Sequence, residues 1–240
     1  MHVGFILDGN GRWAANKSLP RSIGHKKGAE NVEDILKSCK ELGISHVTLY
    51  AFSTENWSRP VFEIKALMKL FHYYLKKKLT MLYQENVKVV IIGDITPFPK
   101  FIKNYIINLE ELTKNNDGMS LNIAMNYGGR SEIVRATKGI VKAVSEGTIS
   151  AEDLDEQLFS QYLYTKGQKD PDLIIRTAGE KRLSNFLLWQ SAYSELYFVD
   201  KNWPDFNQTD LIDALDHYKS RKRKYGSLEV SEKTTRERVI

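Results

Sequence analysis

Cysteine is almost absent from this chain of 240 residues; Cys39 stands alone. A single thiol excludes an intrachain disulfide and any zinc cage built on cysteines. Proline is scarce, at six residues, and no Pro/Gly/Ser-rich stretch interrupts the chain as a linker would. No apolar run approaches the ~20 residues that span a bilayer. The opening Met1-His2-Val3-Gly4-Phe5-Ile6-Leu7-Asp8 lacks the length and basic flank of a secretory leader. The expectation is a soluble, cytoplasmic protein of a reducing compartment. Zinc-finger spacing, a basic zipper, an RNA-binding aromatic signature and a Walker A sequence are all missing. A net charge of +5, from 35 Lys and Arg against 30 Asp and Glu, is compatible with an anionic partner. It lacks the dense basic patch of a nucleic-acid binder, so no nucleic acid is expected among the partners.

What is present is an ordinary globular mixture, 42% hydrophobic and 27% charged. A chain of this size buries roughly 70–75% of its unfolded surface and needs no covalent staple. Short apolar runs alternate with longer helical patterns. Strands are expected at Val3–Leu7, Val47–Phe52, Val87–Gly93, Leu121–Asn126, Leu173–Arg176 and Leu196–Val199. Ala29, Val32, Ile35, Leu36, Cys39 and Leu42 recur at helical spacing, and Gly43 can stop that helix. Pro60 suits the first turn of a second helix, striped by Ile64, Leu67, Met68, Phe71, Leu75, Leu79 and Leu82. Leu211, Ile212, Leu215 and Tyr218 mark a last one. The rhythm predicts an α/β fold: a central, mainly parallel sheet of about six strands flanked by helices, in one domain over residues 1–226. A short polar tail, 227–240, follows. Ligands of such sheets sit beyond the carboxyl ends of the strands.

Four segments there can carry chemistry. Asp8-Gly9-Asn10-Gly11-Arg12-Trp13 follows the first strand. Its glycines let backbone N–H groups approach a phosphate, with Arg12 as a forked cation and Asp8 as a Mg²⁺ ligand; a plain turn has the same composition. Arg21, His25, Lys26 and Lys27 suit an anion or a solvated basic turn. Ser53-Thr54-Glu55-Asn56-Trp57-Ser58-Arg59-Pro60 follows the second strand as a polar site or a capping segment. Arg176 and Arg182 flank a glycine-containing loop with Ser184, and can grip a diphosphate or form structural ion pairs. Glu195 is a possible second carboxylate for a metal. The helix Val61–Glu85 is apolar over a wide arc, as a core helix or the wall of an alkyl tunnel would be.

Taken in order, these segments with Asn126-Tyr127-Gly128-Gly129-Arg130, Asp170–Arg176, Arg182–Gln190, Ala192–Phe198 and Trp203-Pro204-Asp205-Phe206 resemble the cis-prenyltransferases. The bacterial undecaprenyl diphosphate synthases are the nearest type, and the likeness runs from about His2 to Gly226. It implies Mg²⁺-dependent, successive condensation of isopentenyl diphosphate onto an allylic diphosphate, usually farnesyl diphosphate. The implied product is a long cis-polyprenyl diphosphate of C55, the precursor of the cell-wall lipid carrier. The Asp-rich pairs of the all-helical trans synthases do not occur. By the same resemblance Asp8 is the Mg²⁺-linked catalytic aspartate and Glu195 a metal position. Gly9, Asn10, Gly11, Arg12, Arg21 and His25 contact the allylic diphosphate. Ser53, Thr54 and Glu55 are substrate contacts, Asn56 is assigned to proton removal, and Trp13, Trp57 and Arg59 stand beside them. Arg176, Arg182 and Ser184 hold isopentenyl diphosphate. Because an amide is a weak base, Asn56 is expected to position a substrate or water while Asp8 or a diphosphate oxygen takes the proton. Met119–Met125 is the expected tunnel floor. A homodimer with peripheral membrane contact is implied too. Two positions depart from the family: Ala178 in Arg176-Thr177-Ala178-Gly179-Glu180, and Lys224 in Lys224-Tyr225-Gly226, where arginine is usual. The family's non-catalytic subunits are set aside because Asp8, Arg12, Arg176 and Glu195 are all present.

Overall fold

The computed structural model describes residues 1–221; Lys224-Tyr225-Gly226 and the tail lie outside the described residues. Six strands form one parallel sheet: β1 (His2–Ile6), β2 (His46–Ser53), β3 (Val87–Ile92), β4 (Met119–Tyr127), β5 (Leu173–Arg176) and β6 (Glu195–Phe198), in the spatial order β3-β4-β2-β1-β5-β6. Every expected strand is present within two residues of its expected ends. The helices are α1 (Asn10–Asn16), α2 (Arg21–Glu41), α3 (Val61–Gln84), α4 (Lys100–Thr113), α5 (Gly129–Ser145), α6 (Glu156–Ser160) and α7 (Gln208–Ser220).

Alternation along the strands separates two faces. Val3 and Phe5 of β1, Val47 and Leu49 of β2, and Leu173 and Ile175 of β5 point to one side. There they pack with Ile35 of α2, Met68 of α3, Ile102 of α4 and Leu211 of α7. Ile6, Ile174 and Tyr127 point to the other side, onto Phe186 and Leu187. Trp203 and Phe206 stack on one another, meet the Phe5 ring at steep angles and close the first layer.

Two helices differ from the sequence reading. The segment after Gly9 is helix, not loop, so Asn10 to Trp13 form the opening of α1. Helix α2 begins at Arg21, eight residues before its apolar stripe. The reason lies in Gly24 and Gly28, one turn apart where α1 crosses α2. A Cβ on Gly24 would lie 2.0 Å from the Asn10 carbonyl oxygen, and one on Gly28 2.0 Å from Asn10 Oδ1. These two glycines are the contact surface of a close helix crossing.

The neighbour order decides where ligands can bind. Strand β1 lies between β2 and β5, and the chain builds outward first on one side and then on the other. The carboxyl ends of β1 and β5 therefore flank the point where the strand order reverses, the usual ligand crevice of an open parallel sheet. Asp8 follows the first of these strands and Arg176 ends the second.

Candidate active site

Register brings the two residues together: Ile6 pairs with Arg176 across β1 and β5. Arg176 is 4% exposed. Its Nη2 donates to Asp8 Oδ2 at 2.9 Å and its Nη1 to Ser184 Oγ at 2.7 Å. The other Asp8 oxygen accepts from the Gly9 N–H at 2.7 Å and lies 3.3 Å from Arg12 Nη2. Burial pushes the Asp8 carboxyl up, but Arg176, the Gly9 amide and Arg12 outweigh it and hold the group below the usual carboxylate range. Arg12 also donates to the Ala178 carbonyl at 2.9 Å and to Glu180 at 3.2 Å. Ala178 itself is at φ 71° and Gly179 at φ 73° in this loop.

A second cationic cluster faces this pair across the opening. Arg21 and His25 are one turn apart on α2, and Arg59 and Glu63 are one turn apart at the start of α3. Glu63 Oε1 lies 3.1 Å from Arg59, 3.3 Å from Arg21 and 3.4 Å from His25 Nε2. Glu63 is only 8% exposed. Burial and the neighbouring Arg59 lower the His25 pKa despite Glu63. Nε2 of His25 is buried, and Glu63 Oε1 at 3.4 Å is too poorly placed to complete a hydrogen bond to it. Sequence reasoning missed Glu63; its signal was the four-residue spacing from Arg59 at a helix start.

The segment after β2 is a 3₁₀ turn, Thr54–Ser58. Ser53 and Asn56 cap it reciprocally, and Asn56 Oδ1 accepts from the Ser53 N–H at 3.1 Å. The Asn56 carbonyl oxygen is thus occupied by backbone. Glu55 accepts from Asn185 at 2.8 Å, which ties this turn to the loop carrying Ser184.

A cavity of about 800 Å³ opens here. Asp8, Asn10, His25, Ser53, Glu55, Asn56, Arg59, Arg176 and Ser184 line its mouth. Leu36, Leu49, Leu67, Leu70, Phe71, Met81, Leu82, Leu121, Ile123 and Met125 line its body. The body lies between the sheet and helices α2 and α3. Of the expected floor, Leu121, Ile123 and Met125 face the cavity and Met119 does not; Leu75 and Leu79 have no described side chains. An adjoining recess of about 410 Å³ is lined by Asp8, Gly9, Asn10, Gly11, Arg12, Arg21, His25 and Arg59.

Five expected site residues stand elsewhere. Trp13 Nε1 donates to Asp205, and Trp57 Nε1 donates to Asn126 while its ring packs on Phe52 and Phe98. Both indoles hold elements together, and neither lines a cavity. Thr54 and Arg182 also stay outside both linings; Arg182 is ion-paired with Glu180 at the rim. Glu195 stands apart as well. It begins β6 and pairs with Leu173, three rungs before Arg176, so it sits roughly 10 Å down the sheet from the mouth. Within one chain it does not meet Asp8.

Residues 6–226 match the profile of a family described as "Putative undecaprenyl diphosphate synthase". The chain belongs to this family. It is a prenyltransferase. An isoprenyl transferase of Clostridium perfringens is 51% identical over 227 residues, covering 95% of this chain and 90% of that protein. A Micrococcus luteus protein named ditrans,polycis-undecaprenyl-diphosphate synthase, (2E,6E)-farnesyl-diphosphate specific, is 46% identical, covering 95% and 91%. Among solved structures, a lavandulyl diphosphate synthase of Lavandula x intermedia in complex with dimethylallyl diphosphate superposes with a TM-score of 0.91 at 38% identity, covering 94% and 97%. A probable undecaprenyl diphosphate synthase of Campylobacter jejuni gives 0.77 at 32%, with the same coverage.

The prenyltransferase mouth fits a Mg²⁺ ion of one kind only. Among the described residues no three His, Cys, Asp or Glu side chains cluster as a metal cage. Asp8 is a single ionised carboxylate beside cations that suit phosphate. Mg²⁺ is commonly held in this way, by one or two carboxylates with substrate phosphates and waters.

Proposed function

We infer that this protein condenses isopentenyl diphosphate repeatedly onto an allylic diphosphate, farnesyl diphosphate, to make a long cis-polyprenyl diphosphate of the undecaprenyl type. The observation that carries this is the Asp8–Arg176 pair at the mouth of a largely apolar cavity of about 800 Å³. Two cationic groups meet there. Gly9, Asn10, Gly11, Arg12, Arg21, His25 and Arg59 hold the allylic diphosphate, and Arg176 with Ser184 holds isopentenyl diphosphate, Arg182 standing at the rim. Arginine forks and N–H groups fix both headgroups so that their carbon ends face each other. Asp8, with the allylic diphosphate, would hold Mg²⁺, and the ion when bound would supply positive charge at the departing group.

In the reaction the allylic C1–O bond breaks and its electron pair leaves with the diphosphate. The alkene of isopentenyl diphosphate attacks C1, and loss of a proton from its C2 forms the new cis double bond. With its amide oxygen used as a cap, Asn56 positions substrate or water from its free NH₂. The ionised Asp8 carboxylate or a diphosphate oxygen accepts the proton. The apolar body of the cavity takes the growing tail. Each added five-carbon unit gains up to about 4 kcal/mol if all its carbons are buried. A short product is the second reading, because the fold is shared with a protein named for a lavandulyl product. The depth of apolar lining favours the long one.

A homodimer completes the proposal. Strand β6 is an open sheet edge with Leu196 and Tyr193 exposed beside it, a surface that a second copy would cover. No helix among the described residues is long and apolar enough to cross a membrane, and the membrane contact proposed is a peripheral one. Incubation with farnesyl diphosphate, labelled isopentenyl diphosphate and Mg²⁺, followed by chromatography, tests the function. Label in a long prenyl chain is expected, and Asp8→Ala should abolish it. Absence of label in any prenyl product would end this reading.

A further inference from the structure

Helix α3 has two unlike faces. Leu67, Phe71, Tyr74, Met81 and Leu82 face the cavity. The opposite side presents Phe62, Lys65, Lys69, Tyr73, Lys76 and Lys77 to solvent. At 3.6 residues per turn these six fall within an arc of roughly 120°. Phe62 is 76% exposed and Tyr73 52%. The sole carboxylate of α3, Glu63, turns inward to its three cations. Among the described residues none of the four lysines has an ion-pair partner, and Lys77 lies over the Tyr73 ring. Helix α4 extends the surface: His72 packs edge-on against Phe101 and Tyr105, and Phe101 is half exposed. The acids of α4 are engaged elsewhere, Glu110 with the Ile91 N–H and Glu111 with Lys114.

Folding does not account for this face. Lys65 and Lys69 repel one another at four-residue spacing, and Phe62 gains nothing from exposure to water. Cations interleaved with aromatic rings along a whole helix, without an anion, match the requirements of an anionic lipid surface. We propose that the outward face of α3, extended by Phe101, docks on a bilayer containing anionic lipid, and that the prenyl product leaves the cavity behind α3 for that bilayer. This rests on the long-chain reading, since a tail of that length cannot pass into water at a useful rate. Charge complementarity would also admit an acidic protein. The aromatic residues and the hydrocarbon product favour lipid.

The test is sedimentation of the substrate-free full chain with vesicles of phosphatidylcholine alone or mixed with phosphatidylglycerol. The protein should partition onto the mixed vesicles and be released by high salt. The triple variant Lys69→Gln/Lys76→Gln/Lys77→Gln should lower partitioning roughly 100-fold, at about five-fold per lysine. Lys138→Gln/Lys142→Gln on α5 should leave it unchanged. Turnover in detergent should be equal in all three proteins, while vesicle-supported turnover falls only in the triple variant. Wild-type protein that ignores anionic vesicles, or a triple variant that binds as wild type does, would overturn the docking face. Vesicle binding needs no catalysis, so lysine-dependent binding without prenyl product would instead defeat the functional reading alone.

Discussion

Replacing Gly24 by alanine tests whether the α1–α2 crossing sets the diphosphate geometry. The new Cβ would meet the Asn10 carbonyl oxygen at 2.0 Å and the Ala14 Cβ at 3.1 Å. The first neighbour is backbone and has no rotamer to escape into. Relief to even 3.0 Å, itself tight, needs a shift of about 1 Å at the start of α1. That shift carries Gly9, Gly11 and Arg12 with it. Alanine in a helix interior gains about 1 kcal/mol over glycine, while overpacking costs about 1–3 kcal/mol. A 2.0 Å approach to backbone falls at the upper end of that range, so the clash wins, for a net loss of about 2 kcal/mol and a melting temperature lower by roughly 4–8 °C at this chain length. A displacement of 1 Å at a positioning segment costs about 100-fold in rate. Steady-state kinetics should therefore show kcat/KM for the allylic diphosphate falling about 100-fold. KM for isopentenyl diphosphate, which depends on Arg176 and Ser184, should move far less. Glu30→Ala on the same helix is the control. A Gly24→Ala enzyme with unchanged or raised stability and normal kinetics would refute the reasoning.

Three further outcomes follow from the same geometry. Leu121→Trp, at a buried position of the cavity wall, should shorten the longest product by at least one five-carbon unit on chromatography; an unaltered ladder would mean the tail lies elsewhere. Arg176→Lys keeps the charge but cannot span Asp8 and Ser184 together. Its kcat/KM for isopentenyl diphosphate should drop at least about 100-fold, as for loss of a transition-state donor, and the acid limb of the pH–rate profile should move upward as Asp8 loses the partner that lowers its pKa. Burial pushes His2 down to about 4 despite its hydrogen bond to the Lys169 carbonyl. Between the unfolded value near 6.5 and that folded value the unfolded chain binds more protons, so stability should fall as pH drops from about 6.5 to 4, by up to about 3 kcal/mol. His2→Gln should flatten that slope in denaturant titrations; an equally steep slope would show that other groups cause it.

The sheet was legible because buried parallel strands are short apolar runs, and all six stand where those runs are. The carboxyl-end rule points to Asp8, Ser53–Arg59 and Arg176 from the sequence alone. Side-chain direction was not legible. Trp13 and Trp57 lie in the right segments but turn away from the cavity, to Asp205 and to Asn126 with Phe52 and Phe98, because a residue's place in a motif does not say which face of a helical turn it takes. Gly24 and Gly28 lie within and beside the Arg21–Lys27 region, whose composition suits a basic turn equally well, because close helix crossing and turn formation need the same small side chain. Glu63 was hidden for a different reason: its meaning depends on Arg21 and His25, forty residues earlier in the chain. The position of Glu195 along the sheet was not legible either, since a strand's first and last residues look alike in sequence and lie at opposite ends of the sheet.

The central claim is that two diphosphates share one mouth, with the prenyl tail between α2 and α3. A ternary crystal structure with isopentenyl diphosphate and the unreactive thio-analogue of farnesyl diphosphate tests it most directly. The prediction is an allylic C1 within about 3–3.5 Å of the attacking alkene carbon, headgroups on the Arg21/His25/Arg59 and Arg176/Ser184 clusters, and the tail against Leu67, Phe71 and Leu121. Headgroups on separate surfaces, or a tail outside that cavity, would contradict it.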